Sequence, residues 1–167
     1  ELIYENLYKW IENKQIVAIG EIGLEDLTDS EISIFKKQLD IGEETKSKVI
    51  VHTPRKNKKE VLKVIQDIVP QHIDPKLVVI DHINQDVIDK DYTLGLTVQP
   101  QKMDKEEAIA ILDEYGFDKF LLNSDISNKP SDPLSVPKTV RELEKLGYKK
   151  TEIGKVAFKN AEKFFKI

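Results

Sequence analysis

Apolar residues along this chain fall into short solid runs that alternate with stretches of helical spacing. Ile3, Leu7, Trp10 and Ile11 recur at i, i+4, i+7 and i+8, which predicts one inward face of an opening helix. The run Ile16-Val17-Ala18-Ile19-Gly20-Glu21 is too short for a helix and predicts a buried strand ending near Glu21. Thr28 and Glu31 have capping-box spacing, in which hydroxyl and carboxylate each satisfy an end-of-helix N–H. A helix through about Glu44 is expected, with Phe35, Leu39 and Ile32 facing inward. The alternation then repeats. Strands are predicted at Lys48-Val49-Ile50-Val51-His52, Leu77-Val78-Val79-Ile80-Asp81-His82, Leu94-Gly95-Leu96-Thr97-Val98 and Phe120-Leu121-Leu122. Helical stripes lie between and after them: Val61, Val64, Ile65 and Ile68; Ala108, Ile111, Leu112 and Tyr115; Val140 and Leu143; and Val156, Ala157, Ala161 and Phe164. A loop carrying Pro130, Pro133 and Pro137 follows the fifth strand.

Strands alternating with helices predict an α/β fold with a parallel sheet, and strands apolar on both faces agree with it. The spacing of about 30 residues is the βα period rather than a solenoid repeat. No linker or shift of composition divides the chain, so residues 1–167 read as one domain. A complete (β/α)8 barrel needs ~250 residues. With 167 residues and five predicted strands, the chain is too short for one.

Composition narrows the chemistry. Hydrophobic residues make up 40% and charged residues 34%, the balance of an ordinary globular chain. The net charge of −4 argues against a protein that coats nucleic acid through general basicity, while leaving room for a local basic patch. The absence of cysteine excludes disulfides, thiolate metal sites and cysteine nucleophiles. No apolar run approaches the ~18 residues that span a bilayer, and no secretory pattern opens the chain, so a cytoplasmic location with no membrane partner is expected. Arg55 and Arg141 are the only arginines, against abundant lysine, which fits either a hyperthermophile composition or an AT-rich genome.

The placement of the polar residues is the most informative feature. Glu21, His52, His82 and Asp125 each stand at or just past the C-terminal end of a predicted parallel strand, the edge where α/β folds place their ligands. Each also follows an apolar run, where a charge needs a reason. A lone histidine at a strand end is more often structural, and a lone aspartate there often caps a turn. Four such residues at successive strand ends, including two of only three histidines, point instead to a divalent-metal site suited to Zn²⁺, Mn²⁺ or a similar ion. His72 lies in the proline-flanked stretch 70–75 and reads as surface.

With these residues the chain resembles the TatD-related metal-dependent hydrolases, a branch of the amidohydrolase-like TIM barrels, and especially their archaeal members. The matching stretches are Ala18-Ile19-Gly20-Glu21-Ile22-Gly23-Leu24, Val51-His52-Thr53-Pro54-Arg55, Asp81-His82, residues 95–102, Asn123-Ser124-Asp125 and Asn160-Ala161-Glu162-Lys163-Phe164-Phe165. The resemblance implies that Glu21 bridges two divalent ions (Zn, Mn or Mg) and that His52 and His82 are ligands. It implies that Asp125 binds metal or deprotonates the attacking water, as the catalytic base. It places Arg55 to meet a phosphate or another anion, and Gln99 and Lys102 within reach of substrate.

Two departures stand out. The family's His-x-His pair is absent, because His52, His72 and His82 are the only histidines, and Glu25 stands where the family has Asp. Counting strands against the family makes this chain a C-terminal portion of a TIM-type barrel without its first two βα units. A naturally short relative, or one completed by a second chain as a homo-oligomer, is the other account. The expected activity is hydrolysis by metal-activated water, with DNA or another phosphodiester as substrate. Amide or lactone hydrolysis, and a catalytically incompetent metal-binding module, are the alternatives.

Overall fold

The computed structural model describes residues 2–85, 91–126 and 131–167. Pro130, expected in the proline loop, lies outside them. The chain alternates as its pattern predicts: α1 (Leu2–Glu12), β1 (Ala18–Gly23), α2 (Asp29–Thr45), β2 (Lys48–His52), α3 (Lys58–His72), β3 (Val78–Ile80), β4 (Thr93–Thr97), α4 (Lys105–Tyr115), β5 (Phe120–Asn123) and α5 (Ser135–Lys145). A closing helical stretch comprises α6 (Lys150–Gly154), a π-helical turn (Lys155–Lys159) and α7 (Asn160–Phe165). The five strands follow chain order in one sheet. Two compact units divide the chain, residues 1–80 with Ile167, and residues 81–166.

In the first unit β1 pairs parallel with β2, and β2 with β3. Phe35, Leu39 and Ile41 of α2 and Val61, Ile65 and Val69 of α3 are fully buried with Val49 and Val51 of β2. The opening helix departs from expectation. Ile3 is 76% exposed and Trp10 46%, so the apolar stripe of α1 is largely uncovered. The strand containing Glu21 also runs further than the apolar pattern suggests. Its register with β2 shifts between Ile19 and Ile22, a bulge that leaves Gly20 and Glu21 exposed and returns Ile22 to the core. His72 is corrected from a surface loop residue to the last residue of α3. It is half-buried, with its Nδ1 2.7 Å from Asp40 Oδ1.

The second helix begins as its sequence predicts. Thr28 accepts a hydrogen bond from Glu31 N at 3.3 Å, and Glu31 accepts in return from Thr28 N at 3.0 Å and Asp26 N at 3.1 Å. These backbone donors, that of Thr28 first, hold the Glu31 carboxyl below the usual carboxylate range. A depressed carboxylate contributes stability above its unfolded pKa and loses it as pH falls through the folded one. Glu31→Gln is therefore expected to remove part of the acid sensitivity of unfolding, read by urea titrations at neutral and acid pH. Thr28→Ala is expected to cost about 1 kcal/mol in the same measurement.

In the second unit β4 and β5 pair in parallel from Leu94↔Phe120 to Thr97↔Asn123. Asp104 caps α4 by accepting from Glu107 N at 2.8 Å. A side chain of the closing helical stretch also reaches the backbone at the start of β5 and just before it. Asn160 donates from Nδ2 to the carbonyls of Phe117 and Phe120, both at 2.8 Å.

Candidate metal centre

The first unit carries Glu21 in the β1 bulge and His52 as the last residue of β2. His52 Nε2 lies 2.7 Å from Glu25 Oε1. Glu25 sits in the loop that the α2 capping box gathers, its own N–H reaching Glu31 Oε1 at 3.4 Å. The residue that departs from the family pattern is thus the one that touches the histidine, and a helix cap helps hold it. Past His52, Thr53 is buried and its hydroxyl accepts from Lys58 Nζ at 2.8 Å. Arg55 is exposed in the following loop.

The second unit carries a denser network. Asp81 and His82 follow β3, and each is only 7% exposed. Asp81 Oδ1 accepts three hydrogen bonds: from His82 N at 2.7 Å, Asn123 Nδ2 at 2.9 Å and Thr97 Oγ1 at 3.1 Å. His82 Nδ1 lies 2.7 Å from the same Thr97 hydroxyl. A buried carboxylate is tolerated when its lone pairs are met in this way. The Oδ1 of Asn123 is buried without a hydrogen-bond partner among the described residues.

Lys102, in the turn after β4, joins the remaining expected residues. Its ammonium donates to Asp125 Oδ2 and stands 3.3 Å from each ring nitrogen of His82. Gln99 Nε2 donates to the same Asp125 oxygen at 3.2 Å. The structure therefore brings His82, Gln99, Lys102 and Asp125 together, and Gln99 and Lys102 are engaged with the carboxylate itself. His82 (φ +58°) and Asp125 (φ +38°) both hold left-handed backbone conformations. Such conformations are uncommon outside glycine and cluster at functional sites.

Sequence reasoning did not single out Asp81, Thr97 or Asn123 as members of the site, nor Glu25 as the partner of His52. The usable signal for Asp81 was a carboxylate closing an all-apolar run beside a histidine.

Among the described residues, Glu21 and His52 of the first unit and His82 of the second offer the carboxylate and imidazole donors that could hold a metal ion. One hard oxygen donor and two borderline nitrogen donors fit Zn²⁺, Mn²⁺ or a similar divalent ion, and no soft sulfur competes. Such donors on the strands of a parallel α/β fold, near their C-terminal edge, fit the class of metal-dependent hydrolases.

Comparison with known proteins narrows the class. The sequence matches the family described as TatD-related DNase over residues 1–166. It is 38% identical over 175 residues to an uncharacterised metal-dependent hydrolase of Methanocaldococcus jannaschii, a match covering all of this chain and 68% of the relative. The crystal structure of a TatD-like protein from Archaeoglobus fulgidus superposes with a TM-score of 0.75 at 34% identity, over 98% of this chain and 66% of that one. The phosphotriesterase homology protein of Escherichia coli shares the fold, with a TM-score of 0.70 at 16% identity over 89% of this chain and 59% of its own. The chain belongs to the TatD-related family of metal-dependent hydrolases and spans about two thirds of the length of its nearer relatives. Its fold is the α/β fold expected from the sequence, five strands of a TIM-type barrel. No helix among the described residues is long and apolar enough to cross a membrane.

Proposed function

We propose that this chain forms the water-activating part of a divalent-metal-dependent phosphodiesterase whose substrate is DNA. The observation that carries the reading is the donor group Glu21, His52 and His82, in a chain that also holds an Asp125 carboxylate against Lys102. Glu21, His52 and His82 are assigned as ligands, and Asp125 as the general base. A divalent ion held by these residues supplies Lewis acidity and lowers the pKa of water to about 7.

The chain's own groups do the rest. Asp125 takes the proton from the attacking water, as a general base oriented by two donors, Lys102 Nζ and Gln99 Nε2. Lys102 shares its ammonium between Asp125 and the phosphate oxygen that gains charge. Arg55, exposed three residues past His52, offers a guanidinium for a neighbouring phosphate. Recognition of this kind needs only local positive charge, which a net charge of −4 allows.

The test is a substrate panel run on the whole protein after chelation and after return of Zn²⁺, Mn²⁺ or Mg²⁺. Metal-restored cleavage of single- or double-stranded DNA is expected. Turnover of a lactone or amide with DNA left intact would overturn the nuclease reading and keep the metal. Equal activity before and after chelation would overturn both.

A further inference from the structure

We infer that Thr97 is a positioning residue that locks His82 in one tautomer, with its proton on Nδ1 and its lone pair on Nε2. The inference rests on reading His82 as a metal ligand only for its functional meaning; the proton arrangement itself follows from three side chains.

The Thr97 hydroxyl has one proton to give and lone pairs to accept with. It stands 2.7 Å from His82 Nδ1 and 3.1 Å from Asp81 Oδ1. Asp81 Oδ1 already accepts from His82 N and Asn123 Nδ2, and a carboxylate oxygen in that role has no proton to offer. The hydroxyl proton must therefore point at Asp81. Were it turned to Nδ1 instead, two bare oxygens would face each other at 3.1 Å in a site where Thr97 is 1% exposed and water cannot intervene. With its proton committed to Asp81, Thr97 can only accept from His82, so Nδ1 carries the hydrogen.

Lys102, equidistant from the two ring nitrogens, is compatible with this assignment. Its ammonium is 3.3 Å from both ring nitrogens, and only Nε2 can accept from it once Nδ1 is protonated. The order of donation is thus His82 Nδ1–H to Thr97 Oγ1–H to Asp81. Second partners of this kind orient a metal-binding imidazole and set its tautomer. Here the chain reaches the carboxylate through a hydroxyl, and Asn123 and the His82 backbone steady the far end.

The chain has only three histidines, so their ring nitrogens can be resolved by long-range ¹H–¹⁵N correlation on the labelled, metal-free protein. The expected spectrum shows His82 protonated at Nδ1. In Thr97→Val, which keeps the shape and removes the hydroxyl, the ring should become a mixture of tautomers. Thr97→Ser should restore the single form. Zn²⁺ titration by calorimetry should then show about 10- to 100-fold weaker binding for Thr97→Val and near-native binding for Thr97→Ser. A wild-type His82 protonated at Nε2, or a Thr97→Val spectrum identical to wild type, overturns the inference. If Thr97→Val does not fold, the wild-type and Thr97→Ser spectra still decide it. Failure of every variant to bind Zn²⁺, with the tautomer as expected, would sink the metal reading and leave the lock standing.

Discussion

Asp125→Asn is expected to lower turnover of a phosphodiester by about 10²- to 10⁴-fold, the contribution of a positioned general base. Asn is the same size as Asp, and its carbonyl oxygen can still accept from Lys102 Nζ and Gln99 Nε2, which meet Asp125 at Oδ2. The backbone adds no obstacle either. Asp125 has φ +38°, and Asn shares with Asp the ability to hold left-handed conformations at little cost. Asn lacks the negative charge and the capacity to take a proton, and its second acceptor oxygen is replaced by an NH2 donor.

The measurement is steady-state cleavage of bis-p-nitrophenyl phosphate by the whole protein, alongside a urea titration. A fall in kcat with KM little changed is the expected result, accompanied by a stability loss of about 1–3 kcal/mol because the largely buried Lys102 ammonium loses its counter-charge. Loss within tenfold would show that another group accepts the proton. Asp125→Ala should lose more stability than Asp125→Asn, because Ala has no side-chain acceptor for Lys102 and holds the left-handed backbone poorly.

The expected ligands were legible because strand ends are visible in one dimension. The runs 49–51, 78–80 and 120–122 are solidly apolar, and the polar residue that breaks each run marks where the strand meets its ligand edge. The start of α2 was legible for the same local reason, since Thr28 and Glu31 each satisfy an N–H group three residues away.

What escaped was of two kinds. The β1 bulge was hidden because Gly20 and Glu21 interrupt an alternation that resumes at Ile22, and an apolar run does not encode a change of register. His72 was misplaced because Pro70 reads as a helix end. The buried stripe of Val61, Ile65, Ile68 and Val69 carries α3 through the proline for two further residues. The apolar face of α1 shows a different limit. Periodicity states that Ile3 and Trp10 share a side of a helix, not what packs on it.

The supporting network of the site escaped for a third reason. Thr97 and Asn123 reach Asp81 across 16 and 42 residues, and nothing local in either residue signals that contact. The expected ligands come from strand ends, which sequence shows. Their orientation comes from hydrogen bonds between strands, which only the fold brings into being. That division also explains why Gln99 and Lys102, expected to meet substrate, are found holding Asp125.

Gly95→Ala is expected to be the most damaging single methyl group that can be added near the site. A Cβ at Gly95 would lie 2.0 Å from Asp81 Oδ1, 2.6 Å from its Cγ and 3.1 Å from its Cα. A flexible side-chain tip could swing away from the first contact. The approach to the Cα means that the backbone of Asp81 must give as well. β4 cannot yield easily in its place, since Gly95 is in register with Leu121 of β5 and its carbonyl accepts from Ile83 N at 3.2 Å. Moving Asp81 breaks its bonds to His82 N, Thr97 and Asn123, and leaves buried donors unmet at about 1–3 kcal/mol each. Overpacking adds a further ~1–3 kcal/mol. A loss of at least ~3 kcal/mol in urea unfolding follows, with weakened Zn²⁺ binding where the variant still folds, because the partners of His82 go with Asp81. Gly154→Ala is the matched control. It occupies a helical position whose nearest neighbour is Lys159 Cε at 3.7 Å, and it should leave stability unchanged or raise it by up to ~1 kcal/mol. If Gly95→Ala were as mild as Gly154→Ala, Asp81 would have to relocate at no cost. The close approach of β4 to the Asp81 carboxylate would then be incidental rather than the reason a glycine stands at this place in the strand.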